Sequence, residues 1–137
     1  MGEPAALILE WKKLLSDKKT YAMLPVSDLK QAMQFYSETL GLTPDMVTEG
    51  GTMYGSGGSQ FFVYPSSYKA SGHTQMSWLV GDIKAEVAAL RAKGIKFEEY
   101  DRPGIKSIDG IVQSGPNVWT AWFRDPDGNL LGLTQIG

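Results

Sequence analysis

Hydrophobic and polar positions change period several times along this chain, and the changes mark its elements. From Tyr21 to Val26 the alternation has period two, with Tyr21, Met23 and Pro25 on one face and Ala22, Leu24 and Val26 on the other, as in a strand. The period then lengthens to that of a helix. Leu29, Ala32, Met33, Tyr36 and Leu40 form one stripe, opened by a Ser27 or Asp28 cap and stopped by Gly41. The same plan recurs from Gln75 to Ile95. Val80-Gly-Asp-Ile answers Val26-Ser-Asp-Leu, and Gly94-Ile answers Gly41-Leu. A fainter echo links Gly58-Ser-Gln-Phe-Phe-Val to Gly128-Asn-Leu-Leu-Gly-Leu. An internal repeat constrains the architecture more than any single motif does.

Between the copies, Thr43 to Tyr64 predicts three short strands divided by Glu49-Gly-Gly and Gly55-Ser-Gly-Gly. After the second helix, about Asp82 to Lys93, the pattern predicts strands near Lys96–Tyr100, Ile111–Ser114, Val118–Arg124 and Asn129–Gln135. Asp101 to Gly110 reads as a loop, and Asp125-Pro-Asp-Gly-Asn as a tight turn. Each half is then βαβββ, an α+β arrangement. Module one covers about 20–64, a polar linker 65–72, and module two about 73–136, all within one domain of 20–136. Residues 1–19 stand apart as an amphipathic helix and connector, with Leu7, Trp11, Leu14 and Leu15 on one face. Two such halves side by side predict a curved sheet whose uncovered face is a concave trough, the usual place for a small molecule.

Composition narrows the functions. The 137 residues carry a formal net charge of −2 with mixed signs, so no basic footprint for nucleic acid or anionic lipid is expected. There is no cysteine, which removes disulfides, a thiolate nucleophile and a Cys-type zinc site, and fits a cytoplasmic protein. No apolar run approaches the roughly 18 residues of a membrane span, and no signal peptide is expected. Gly55-Ser-Gly-Gly-Ser has neither the strand–helix context of a serine nucleophile nor the Gly-Lys-Ser/Thr ending of a phosphate loop. Glu98, Glu99 and Asp101 read as a solvated strand end rather than a carboxylate pair.

Val26-Ser-Asp-Leu, Phe35-Tyr, Leu40-Gly-Leu and Trp122-Phe-Arg-Asp-Pro-Asp-Gly-Asn-Leu-Leu-Gly-Leu133 together resemble the vicinal oxygen chelate superfamily, over about residues 20 to 136. That superfamily includes glyoxalase I, extradiol dioxygenases, and fosfomycin and bleomycin resistance proteins. The resemblance implies the two-module fold, and by analogy a homodimer. It does not fix an activity, because the fold hosts several chemistries and some pure binders. In metal-dependent members, His or Glu ligands occupy a first-strand and a last-strand position in each half. Carried over residue by residue, those positions are Tyr21, Phe62, Gln75 and Gly132. None is His, Asp or Glu, whereas a divalent transition metal wants imidazole or carboxylate donors. The resemblance therefore implies a small-molecule binder without the usual metal centre and with no cofactor. Its partner would be a planar or aromatic ligand.

The expected ligand contacts are Tyr21, Met23, Phe62, Tyr64, His73, Gln75, Thr120 and Trp122. Aromatic walls supply contact area at small entropic cost, although each of these rings is equally readable as plain core. His73, the only histidine, shares the face of Gln75 if strand alternation extends to it, and otherwise belongs to the linker. Trp119 and Phe123 point away from Trp122, and Trp78 should pack under the second helix. The loop Tyr100 to Gly110 is long enough to fold over the trough, bringing Arg102 and Lys106 to an anionic ligand, or else to face solvent. Two other readings stay open. One is a metal-dependent lyase or dioxygenase-like enzyme holding a divalent metal; the other is a structural or regulatory module.

Overall fold

The computed structural model describes residues 15–67 and 69–137; apart from Leu15, the helix expected over Glu3–Leu15 lies outside the described residues. Strand β1 (Ala22–Val26) leads into helix α1 (Leu29–Gln34), which widens into a π turn over Phe35–Thr39. Then follow β2 (Thr43–Thr48), β3 (Gly51–Ser56) and β4 (Ser59–Pro65). The second module runs β5 (Thr74–Leu79), α2 (Ile83–Ala92), β6 (Asp101–Arg102), β7 (Ile105–Ile108), β8 (Ile111–Gly115), β9 (Val118–Arg124) and β10 (Leu130–Ile136).

Hydrogen bonding divides the strands into two mixed sheets, ordered β1-β4-β3-β2 and β5-β10-β9-β8-β7-β6. In each, the first and last strands of the module pair in parallel, β1 with β4 and β5 with β10, while the other pairings are antiparallel. The two sheets meet where β1 lies beside β5. Both helices start as the repeat requires. Asp28 Oδ1 accepts from the Gln31 N–H at 3.1 Å, and Asp82 Oδ1 accepts from the Ala85 N–H at 3.1 Å. Gly41 and Gly94 follow the helices at φ +72 and +92, a region open to glycine.

The core lies between the helices and one face of each sheet. Leu24, Val26, Tyr54, Phe61 and Val63 face α1, and Ala121, Phe123, Leu131 and Leu133 face α2, in one continuous cluster. Trp78 joins the halves rather than serving α2 alone. Its ring stacks on Phe123 at 6.2 Å and meets Phe61 edge-on at 6.3 Å, and its Nε1 donates to Ser56 Oγ at 3.2 Å.

Two expectations are corrected. The segment Lys96–Tyr100 is not a full strand; it holds one bridge, Phe97 to Phe123, with the Glu98 N–H donating to the Trp122 carbonyl at 2.8 Å. Its place at the sheet edge is taken by Asp101 to Gly110, which is not a loop but the hairpin β6–β7 running on into β8. The turn chemistry explains this. Pro103 and Gly104 (φ +82) suit the central positions of a type II turn, and Asp109 (φ +53) with Gly110 (φ +79) has the two left-handed residues of a type I′ turn.

Candidate functional site: the open face of the two sheets

Cross-strand partners share a face, so register decides what meets on the side away from the helices. In module one, Met23 stands opposite Phe62, Phe62 opposite Met53, and Met53 opposite Met46. The result is a thioether–aromatic row across all four strands, flanked by Pro25 opposite Tyr64. Phe62 and Tyr64 stack with centroids 6.4 Å apart and planes inclined by 13°. Gly51 permits this packing: a Cβ there would come within 2.5 Å of Phe62 Cζ and of the Val63 carbonyl oxygen. Met23 is 49% exposed and Met46 53% exposed, so the row meets water. Tyr21 precedes β1 and is half exposed. It lines a separate cavity of about 740 Å³ together with Asp45 and Gln60, whose Nε2 donates to Asp45 Oδ2 at 2.9 Å.

In module two, Gly132 stands between Ser77 and Trp122. A Cβ at Gly132 would lie 3.0 Å from Ser77 Oγ and 3.6 Å from Trp122 Cδ1, which puts all three on the open face. Trp122 Nε1 donates to Thr74 Oγ1 at 3.2 Å, and Tyr100 meets the indole edge-on at 5.4 Å. Ser77 Oγ and Thr134 Oγ1 are 2.9 Å apart, and the nearly buried Thr120 lies 3.2 Å from Ser114 Oγ. This half is hydroxyl-rich where module one is apolar.

His73 and Gln75 do not follow simple alternation. The β5–β10 register shifts between Leu130 and Leu131, which pair with Thr74 and Met76 and leave Gln75 in a bulge. Gln75 Nε2 donates to Ser71 Oγ at 3.0 Å, and the exposed His73 lies before the strand, its N–H donating to the same oxygen at 3.3 Å. Thr74 and Ser77 therefore reach the open face beside Trp122. Ser77, Met46 and Met53 were not singled out in the sequence. Strict alternation sets Thr74 on the face opposite Gln75, and the bulged residue inverts that face. The bulge between Pro44 and Met46 has the same effect in β2.

The four positions to which the resemblance carries the family's metal ligands hold a half-exposed phenol (Tyr21), a stacked phenyl (Phe62), a bulged carboxamide (Gln75) and a bare Cα (Gly132). That donor set does not fit a divalent transition metal. Among the described residues, no three His, Cys, Asp or Glu side chains are grouped to hold a metal ion.

Beside the site, the Asp125–Asn129 turn fastens the modules together. Asp125 Oδ2 accepts from Tyr36 Oη and from Asn129 Nδ2, both at 2.8 Å. Its Oδ1 accepts the Asp127 and Asn129 N–H groups at 2.9 and 2.8 Å. Asn129 Nδ2 also donates to the Pro25 carbonyl at 2.9 Å, and Asp127 Oδ1 accepts the Ser27 N–H at 2.8 Å. Burial, reinforced by the Asp125 charge and hydrogen bond, pushes the Tyr36 phenol far above its ordinary range. Tyr54 is also raised, chiefly by burial, with its hydrogen bond to Ser37 opposing.

The sequence pattern of the Glyoxalase/Bleomycin resistance protein/Dioxygenase superfamily matches residues 20–133, and the chain belongs to that superfamily. Solved structures agree on the fold. A glyoxalase/bleomycin resistance protein/dioxygenase from Nocardioides is 20% identical, covering 97% of this chain and 93% of its own, with a TM-score of 0.67. A glyoxalase family protein from Bacillus anthracis is 18% identical over 85% and 91%, with a TM-score of 0.67. A glyoxalase/bleomycin resistance protein/dioxygenase from Alicyclobacillus acidocaldarius is 18% identical over 88% and 92%, with a TM-score of 0.66. Identities this low carry the fold alone. No curated protein matches the sequence. Among the described residues, no helix is long and apolar enough to cross a membrane.

Proposed function

We propose that this chain is a metal-independent small-molecule-binding protein that takes a planar, largely apolar ligand on its open face. The observation that carries the reading is the row Met23–Phe62–Met53–Met46, where apolar side chains on a well-paired sheet are left facing water. Exposed apolar surface of this kind is costly unless something covers it, and thioethers adapt to ligands of irregular outline. Phe62 and Tyr64 offer a stacking surface. The hydroxyls of Ser77 and Thr134 in module two suit the polar edge of the same molecule. Binding alone suffices for such a role, so no reacting group is required. The test is a screen of planar aromatic compounds by quenching of tryptophan fluorescence, with metal content measured on protein purified without chelators. A compound that binds wild type and loses about tenfold or more in affinity in both Phe62→Ala and Trp122→Ala supports the reading. About one metal per chain, or unchanged affinity in both variants, overturns it.

The same row favours a second reading for its cover, a homodimer in which two copies share this face. Sedimentation of wild type against Met23→Glu/Met46→Glu separates the two. A dimer that becomes monomeric on substitution assigns the row to the interface, whereas an unchanged oligomeric state leaves it to the ligand.

A further inference from the structure

On the other side of the second sheet, between α2 and the hairpin β6–β7, lies a cavity of about 860 Å³. It is remote from the open face, because Trp119, which lines it, points away from Trp122. Its floor is apolar: Val87 from α2, Ile105 from β7, Ile111 from β8 and Trp119 from β9. Its rim is cationic. Lys84 and Arg91 come from the helix, Arg102 and Lys106 from the hairpin; Asp109 is the one carboxylate in the lining, with Asp101 opposite Lys106 across the β6–β7 pair.

Two of the four cations are already engaged. Arg91 lies 5.7 Å over the Phe97 ring and 3.7 Å from Glu99, and Arg102 lies 5.5 Å over the Tyr100 ring. Lys84 and Lys106 have no ion-pair partner among the described residues. They reach the cavity from two facing elements, in a chain whose formal charge is −2. Like charges gathered around one hollow repel each other, and an anion between them removes that cost. An apolar floor under free ammonium groups fits a molecule with a hydrophobic body and an anionic head. The volume falls within the range of ordinary ligand pockets.

We propose that this cavity is a second binding site, for a small aromatic or branched organic anion. The anionic head sits between Lys84 and Lys106 and the body packs on Trp119 and Ile111. The site exists because β6–β7 is a hairpin rather than a loop over the open face. The class of ligand follows from the lining and does not depend on what the open face binds.

The test is a fluorescence titration of the full chain with 8-anilinonaphthalene-1-sulfonate, set against the uncharged N-phenyl-1-naphthylamine. Saturable binding of the sulfonate is expected, weakening as salt rises from about 0.05 to about 0.5 M. Lys84→Glu/Lys106→Glu should weaken it about tenfold, from two exposed ion pairs turned repulsive. Phe62→Ala/Trp122→Ala should leave it within about twofold, since those side chains lie on the opposite face. Both lysines are exposed, so the urea midpoint of the charge-reversal variant should match wild type. Equal affinity for the uncharged compound, insensitivity to salt, no sulfonate binding, or loss of it only in the Phe62/Trp122 variant would each overturn the proposal. The salt series and the uncharged compound need only wild type, so the test stands even if the charge-reversal variant folds poorly.

Discussion

Replacing Asp125 by Ala strikes the point where the two modules are tied. Asp125 is only 5% exposed, and its two oxygens accept four hydrogen bonds. Two of the donors, on the fully buried side chains of Tyr36 and Asn129, have no route to water. Asn129 keeps one bond, to the Pro25 carbonyl, while the Tyr36 hydroxyl keeps none of its own as donor. A buried donor left unpaired costs about 1–3 kcal/mol, so two cost about 2–6 kcal/mol. Relief from burying a carboxylate offsets part of this, leaving a net loss of about 3 kcal/mol. Tyr36→Phe removes one donor of four and leaves the carboxylate satisfied by three, for about 1 kcal/mol. The double variant should be milder than the sum by about 1–2 kcal/mol, because the hydroxyl orphaned by Asp125→Ala is then gone. Urea unfolding followed by tryptophan fluorescence measures all three, and Asp125→Ala should lower Tm by about 12 °C. The reasoning is refuted if Asp125→Ala costs under about 1 kcal/mol, or no more than Tyr36→Phe.

Two further outcomes follow from the same packing. Tyr36 is raised in the folded state above an unfolded value of about 10, so the unfolded chain loses its proton first as pH climbs. Its contribution is complete below about pH 10 and declines above it. Urea midpoints across the alkaline range should therefore fall less steeply in Tyr36→Phe than in wild type, and equal slopes would contradict the assignment. Gly51→Ala would drive a methyl into Phe62 and the Val63 carbonyl at a φ of +148 that side chains rarely adopt. A loss of about 2–4 kcal/mol in urea is expected, with weakened binding of any open-face ligand; full stability would show that Phe62 moves freely.

How much of this was legible beforehand depended on how local each signal is. The repeat, the Asp28 and Asp82 caps and the Gly41 and Gly94 stops lie within a few residues of what they control, and the fold follows from them. The hairpin β6–β7 was also written locally, in Pro103-Gly104 and Asp109-Gly110, but its turn residues read equally as loop signals. Near the open face, legibility depended on register. Alternation set Met23 with Pro25 and the family register set Phe62, Tyr64 and Trp122 beside them, while Met46, Met53, Thr74 and Ser77 were not singled out.

By itself, then, the sequence determined two βα units with their aspartate caps and glycine stops, because each depends on residue type and near neighbours. Only the tertiary structure decided which side chains share a face. The bulges at Gln75 and Asp45 exist only in relation to a partner strand, and each inverts the alternation beyond it. Nor does any local pattern show that the Tyr36 phenol ends on Asp125, 89 positions away, or that Trp78 closes the seam between the modules. Those contacts form because burying aromatic area drives the halves together, and polar groups trapped at the seam must then find partners there.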